Sequence, residues 1–457
     1  MIRGSEEGGG VLTVQKVMDD APMGVRQAGI VALVVLALIL EGADIQLAAF
    51  AAPAIRKEWA LDAAALGPAL AAVMVGMIGG GVIGGFLGDR WGRKPLLIAA
   101  ITIFGFATMA IALAGNLWQL VALRFVAGLG FGAAYPNATV LVAEWTPLKF
   151  RPKAVSMLTM GLPVGGLIGA AVSSYTIPHL GWRATFGGAG LISLLLVALM
   201  VAGLPESLIF LSRRPEKHPA IRRTLGALSQ GAVAQDAIVI DASQDSGGQA
   251  RKGESIFAPA NRRVTAGLWI AFFGNLTVAY LVINWLPMLL TMLDVEQAAA
   301  IRGAFYANMA GIAGLVAVAW IYARMGSKAG LNLMILIAAG AIVLTGLLTQ
   351  AGNMGLSGKA MVVLAGACVA YWGVAGVQAG LWSLCVHAYS AESRATGLGW
   401  GNSVGRLGAV TSTLVGGALL GMQPSPLIFL IFMAGALLFA LAGVMTVDRH
   451  APPVAKG

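Results

Sequence analysis

The stretch "GFLGDRWGRKP", residues 85–95, is a short polar turn between two apolar runs, and "IYARMGSKAG", residues 321–330, is its weak counterpart. Each follows the second apolar run of its half of the chain. A looser match sets "MGLPVGGLIGA" (160–170) beside "WGNSVGRLGAV" (400–410), in the fifth run of each half. These pairings predict two related units of six helices. One large class of membrane transporters is built from such parallel repeats, with the substrate site at the midplane between the halves.

Composition agrees. Of 457 residues, 58% are hydrophobic and 11% charged, and the mean hydropathy is +0.82. A bilayer core of about 30 Å needs about 20 apolar residues per helix, and such runs recur along nearly the whole chain. Twelve spans are predicted, at 28–54, 66–88, 95–114, 118–142, 153–174, 184–204, 264–290, 303–323, 329–350, 359–387, 395–419 and 425–447. The expected fold class is therefore an all-α membrane protein, with twelve transmembrane helices in two six-helix pseudo-symmetric bundles. The expected layout is a tail (1–27), a bundle (28–205), a central loop (206–263), a second bundle (264–447) and a tail (448–457). Sixty-two glycines suit helices that pack backbone to backbone in lipid. In the central loop, "SRRPEKHPAIRR" (212–223) predicts a short amphipathic helix and "SQDSGGQARKGE" (243–254) a flexible linker. The polar start of the chain does not read as a signal peptide.

The net charge of +10 follows from basic loops rather than from a nucleic-acid partner. With both termini inside, 23 of the 30 Lys and Arg fall on the inner side, and five (Arg56, Lys57, Arg183, Arg302, Lys359) fall outside. The positive-inside rule then puts the termini and central loop in the cytoplasm. Cys368 and Cys385 share one span, which is neither a disulfide framework nor a metal spacing. No nucleophile, metal cluster or phosphate-binding loop stands out, so an enzyme is not expected, nor any metal or cofactor beyond a proton as coupling ion.

Four charges interrupt the apolar runs. Glu41 and Asp44 lie three residues apart on one helix face near the middle of the first span. Like charges so close disfavour joint ionisation, and intramembrane acids commonly serve proton relays. Asp44, with Glu41, is therefore the expected proton carrier. Arg124 lies in the outer half of span 4, and Arg406 near the centre of span 11. Arginine stays charged and its planar fork matches a carboxylate. The expectation is that Asp44 lies near Arg124 and that Arg406 meets an anionic substrate. Protonation of the acid would release Arg124, the anion would bind, and the halves would rock. The competing reading makes each arginine a static partner of a buried acid or of helix carbonyls.

"GDRWGRKP" (88–95) resembles the signature loop of the major facilitator superfamily, and "EGADIQLAAFAAPAI" (41–55) resembles the first-span DGxD motif of its aromatic acid:proton symporters. "LRFVAGLGFGAAYPNA" (123–138), "LPESLIFL" (204–211), "NWLPMLL" (284–290) and "SRATGLGWGNSVGRLGA" (393–409) are similar to family segments at matching positions. The chain departs from the motif at Glu41, where the family's usual residue is Asp. The resemblance implies proton-driven import of an aromatic carboxylate, such as a hydroxybenzoate or a lignin breakdown product, by alternating access. It implies a bacterial inner-membrane protein, here expected as a monomer, that serves aromatic catabolism. It further implies that Asp89 meets the amino-terminal end of helix 11 and that Arg93 pairs with Glu144, tying the cytoplasmic side shut.

A ring-shaped substrate wants flat walls and a few directional hydrogen bonds. Tyr371, Gln378 and Trp382 recur at helical spacing in span 10. Asn284 and Trp285 lie in span 7 beside Tyr280, Tyr135 in span 4, Gln46 in span 1 and Asn308 in span 8. Each is a candidate for the ring or its hydroxyls; an interfacial anchor is the competing reading for the Trp and Tyr residues. His387 ends span 10 and reads as solvated. The alternative function is symport of another organic anion, such as a sugar acid. A non-transporting sensor lacks a signalling domain, and export of cationic drugs fits the buried arginines poorly.

Overall fold

The computed structural model describes residues 13–212, 214–228, 255–350, 354–390, 393–422 and 426–453; the linker expected at 243–254 lies outside them. Thirteen α-helices follow in order among the described residues. They are α1 Val14–Asp20, α2 Val25–Glu58, α3 Ala63–Trp91, α4 Arg93–Ile111, α5 Leu117–Trp145, α6 Arg151–Gly203, α7 Leu208–Ser212, α8 His218–Leu228, α9 Arg262–Met292, α10 Gln297–Gln350, α11 Leu356–Ala388, α12 Arg394–Met422 and α13 Pro426–Thr446. Helices are the natural answer to lipid, because each satisfies its own backbone donors and acceptors. Ten are long and apolar enough to cross a bilayer.

Two of the ten cross twice. α6 turns at Gly181 (φ 83°) and α10 at Gly326 (φ 75°). Thr185 Oγ1 donates to Thr176 Oγ1 at 3.0 Å across the first turn, whereas a straight helix would hold residues nine apart at about 13 Å. The sequence reading expects loops at 175–183 and 324–328; single glycines with positive φ do that work instead. The expected twelve crossings result.

The first half comprises α2–α6 and the second α9–α13. We call the side carrying α1, α7, α8 and residues 448–453 the tail face, and the opposite side the far face. Helices within a half approach through small residues. A Cβ added to Gly42 would lie 2.6 Å from the Cα of Leu162, so the glycine between the two acids seats α2 against α6. The halves meet through α3 with α12, α6 with α10 and α2 with α9. On the far-face side Gln297 Nε2 donates to Phe50 O at 3.4 Å. Gln46 and Asn308 exchange two amide hydrogen bonds, of 3.1 and 2.9 Å. Gly166 leaves room for this clasp, since a Cβ there would come within 2.9 Å of Asn308 Oδ1.

At the tail face, each half is closed by the chain that follows its sixth crossing. In the first half, Glu206 Oε1 accepts from the N–H groups of Arg93 (2.9 Å) and Lys94 (3.1 Å) at the start of α4. It also accepts from Ser207 N–H. A carboxylate at a helix N-terminus satisfies orphan donors and meets the positive end of the helix dipole. In the second half, Ser327 N–H donates to Ala451 O and Ala451 N–H to Ser327 Oγ, both at 2.9 Å. The expected polar amino-terminal tail contains α1, which buries Val14, Val17 and Met18. An ion pair between Asp19 and Arg151 holds it in place. The amphipathic helix expected at 212–223 begins later, as α8, with Ile221 and Leu225 buried.

Replacing Glu206 by alanine strands the first N–H groups of α4. The expected loss is about 1–2 kcal/mol, read as a lower melting temperature of the purified protein, with substrate affinity little changed.

Candidate functional site

Near the middle of α2, Asp44 forms a buried ion pair with Arg124 of α5 at 2.9 Å, the side chains being 1% and 0% exposed. The second Asp44 oxygen accepts from Thr108 Oγ1 of α4 at 3.0 Å. Arg124 also donates to the carbonyls of Asp44 and Ile45, each at 3.2 Å. Both carboxylate oxygens are thus engaged, and the pair ties α2, α4 and α5 together.

Glu41, one turn earlier, is equally buried at 2% exposure, but its Oε1 has no hydrogen-bond partner among the described residues. It lines a cavity with about 10 Å³ open to the centre of a water molecule, walled by residues that include Leu97, Phe104 and Phe131. Such a volume admits about one water. A carboxyl group with open hydrogen-bonding capacity can take or give a proton more readily than one held, as Asp44 is, in a contact ion pair.

Arg406, in the other half, is near enough to Glu41 for their charges to interact without a contact ion pair among the described residues. It is half-buried on α12, and its guanidinium donates to Met77 O of α3 at 3.5 Å, a long contact. Glu41 and Arg406 interact electrostatically, and both act on Tyr135 and Tyr280. Tyr371 of α11 lies within range of Tyr280. The structure therefore gathers an acid, an arginine and three tyrosines at mid-membrane, where the halves face each other.

Several expected residues sit elsewhere or are otherwise engaged. Trp285 is fully buried, and its indole N–H donates to Thr413 O at 3.2 Å. Asn284 Nδ2 donates to Thr413 Oγ1 at 2.9 Å. Both fasten α9 to α12, so Trp285 has no face left for a ring. Gln46 and Asn308, expected at ring hydroxyls, bond each other. Trp382 is half-buried, and His387 is exposed near the end of α11. Cys368 and Cys385 are free thiols.

The gate contacts also differ from expectation. Asp89 pairs with Arg93 one turn along the chain, not with the start of α12, and its side chain is 66% exposed. Arg93 meets Asp89, and Glu144 lies half-buried at the tail end of α5.

Sequence reasoning missed Thr108, Asn275, Thr413 and the capping role of Glu206. Asn275 was the most findable, since a lone amide in an apolar span demands a partner.

The Major Facilitator Superfamily model matches residues 34–413. The chain belongs to the Major Facilitator Superfamily. It is 34% identical over 414 residues to the 4-hydroxybenzoate transporter PcaK of Pseudomonas aeruginosa, covering 90% of each chain. It is 33% identical over 444 residues to a gallate transporter of Pseudomonas putida, covering 96% of each. These relatives match the aromatic acid:proton symporter family. Among solved structures, the inward-open xylose transporter XylE of Escherichia coli superposes with a TM-score of 0.73 at 18% identity, covering 93% of this chain and 97% of that one. That likeness speaks to the fold. The chain is a multi-pass membrane transporter, not an enzyme.

Proposed function

We infer that this protein imports an aromatic carboxylate by proton symport and alternating access across a bacterial inner membrane. The observation that carries this reading is the opposition of Glu41 and Arg406 across the seam between the halves, with Tyr135, Tyr280 and Tyr371 beside them. Arg406 supplies a fork for the substrate carboxylate, and the tyrosines supply ring faces and hydroxyls. The relatives named for 4-hydroxybenzoate and gallate transport point to the same substrate class. With the tail face in the cytoplasm, as the charge distribution favours, contacts on the far face make this the inward-facing arrangement.

In this cycle Glu41, not Asp44, carries the exchanged proton. Ionised Glu41 competes with the substrate for Arg406. In the outward-facing state Glu41 takes a proton, which frees Arg406 to bind the anion. The halves rock, and the substrate leaves inward. Glu41 then releases its proton to the cytoplasm and engages Arg406 again, which resets the empty carrier. Asp44 and Arg124 stay paired throughout and hold α2 in register.

The test is uptake of labelled 4-hydroxybenzoate into proteoliposomes, with and without an inward proton gradient. Wild type accumulates substrate only with the gradient. Glu41→Gln keeps counterflow exchange, because Arg406 is permanently free, and loses gradient-driven accumulation. Accumulation that ignores the gradient, or a Glu41→Gln protein that still concentrates substrate, refutes the coupling.

A further inference from the structure

Asn275 of α9 is fully buried, and its amide nitrogen makes two hydrogen bonds to α11. One goes to Val374 O at 3.2 Å and the other to Gln378 Oε1 at 2.9 Å. Its own oxygen, Oδ1, has no hydrogen-bond partner among the described residues. This chain of dipoles has one possible direction. The Val374 carbonyl belongs to the backbone and cannot turn round. It therefore requires the NH2 end of Asn275, because a reversed amide would set Oδ1 against two acceptors. The Asn275 NH2 group in turn requires the carbonyl end of Gln378. The NH2 end of Gln378 is what remains to face outward from the pair. The buried Oδ1 left without a donor is the penalty that this orientation carries.

Gln378 is half-buried and lies two helical turns from Tyr371 on the same side of α11. Tyr371 is the residue that approaches Tyr280 beside Glu41 and Arg406. The two-turn spacing puts Gln378 on the face of α11 that carries Tyr371, on the tail-face side of the mid-membrane site. Neither the proton cycle nor the packing of α9 on α12 uses its amide donor.

We propose that Asn275 is a positioning residue that holds Gln378 with its NH2 group toward the ligand, and that this pair selects aromatic acids whose ring carries a hydrogen-bond acceptor. The proposal rests on the reading of the site as one for aromatic carboxylates. A hydroxyl or ether oxygen on the ring accepts from Gln378. An amino group brings N–H donors against a donor and is rejected. The selection comes from polarity rather than size, because the backbone carbonyl of Val374 fixes which end of each amide faces which.

The experiment measures competition by unlabelled 4-methoxybenzoate and 4-aminobenzoate against uptake of labelled 4-hydroxybenzoate in proteoliposomes of the full-length protein. Wild type should favour the methoxy acid over the amino acid by about tenfold, the scale of one mismatched buried hydrogen bond. Asn275→Asp reverses the chain. The protonated acid gives its hydrogen to Val374 O and accepts from the Gln378 NH2 group, so Gln378 turns its carbonyl to the ligand. The ranking then inverts, with the amino acid ahead. Gln378→Leu removes the donor and brings the ratio near one, and it stands as the test if Asn275→Asp does not fold. A merely structural role for Asn275 would weaken both competitors alike and leave their ratio unchanged. Wild-type ranking retained in the folded variants overturns the proposal while leaving aromatic acid transport intact. Failure of every benzoate to be taken up or to compete overturns the transport reading and this proposal with it.

Discussion

Arg124→Met destabilises the folded protein by about 3–5 kcal/mol and abolishes uptake. The magnitude follows from what is left behind. Asp44 is 1% exposed, and without Arg124 only the Thr108 hydroxyl still bonds its carboxylate. Removing one member of a buried ion pair strands the other charge in a medium that cannot solvate it. The carbonyls of Asp44 and Ile45 lose donors as well. The check is thermal unfolding of purified protein beside the double variant Asp44→Asn, Arg124→Met. The double variant should recover most of the lost stability, because no unpaired charge remains. If the single variant melts like wild type, the pair does not tie α2, α4 and α5 together. A double variant that transports well would return Asp44 to the mechanism only as a spectator.

Arg406→Ala should lower substrate binding by about a hundredfold or more, the range for losing one partner of a buried charge-assisted pair. Its stability should change far less than that of the Arg124 variant, because among the described residues the guanidinium makes only the long 3.5 Å contact with Met77 O. This contrast separates the two arginines by function. Arg406→Lys keeps the charge but not the planar fork, so it should retain partial binding with a shifted preference among ring substituents. Calorimetric titration of 4-hydroxybenzoate into the protein in lipid nanodiscs reads both effects. Unchanged affinity in Arg406→Ala would move the carboxylate to another residue and remove the competition with Glu41.

Much of this was legible in the chain. Apolar runs of bilayer length and the repeated loop after the second and eighth crossings were enough for the twelve-helix plan. The proximity of Asp44 and Arg124 could be argued because a buried acid and a buried arginine must find partners. Hydropathy does not reveal rotamers. It could not say that Trp285 points at Thr413 and not at a ligand, since both placements bury the same indole. It could not say which acid of α2 has both oxygens bonded, because that depends on Thr108, an unremarkable residue in another helix. The breaks at 175–183 and 324–328 were legible, but that Gly181 and Gly326 alone make the turns was not, for a related reason. A glycine in an apolar run reads as close packing until its φ is known. The expected gate pairing of Asp89 is not what the described residues show, since the loop's residues bond within the first half: Asp89 with Arg93, and Arg93 N–H with Glu206.

The clasp between Gln46 and Asn308 has a bearing on timing. Two neutral amides hold the halves together on the far face, and neither titrates or carries net charge. Its strength is therefore the same in acid and alkali and is scarcely touched by salt. In the symport cycle proposed above, an ionic fastener at that position would loosen or tighten with the proton gradient itself. In that cycle a neutral one would present the same barrier on every turnover, so the rate of opening at that face would be set by temperature and the membrane, and the response to acidity would fall to the carboxyl group proposed as the proton carrier, Glu41.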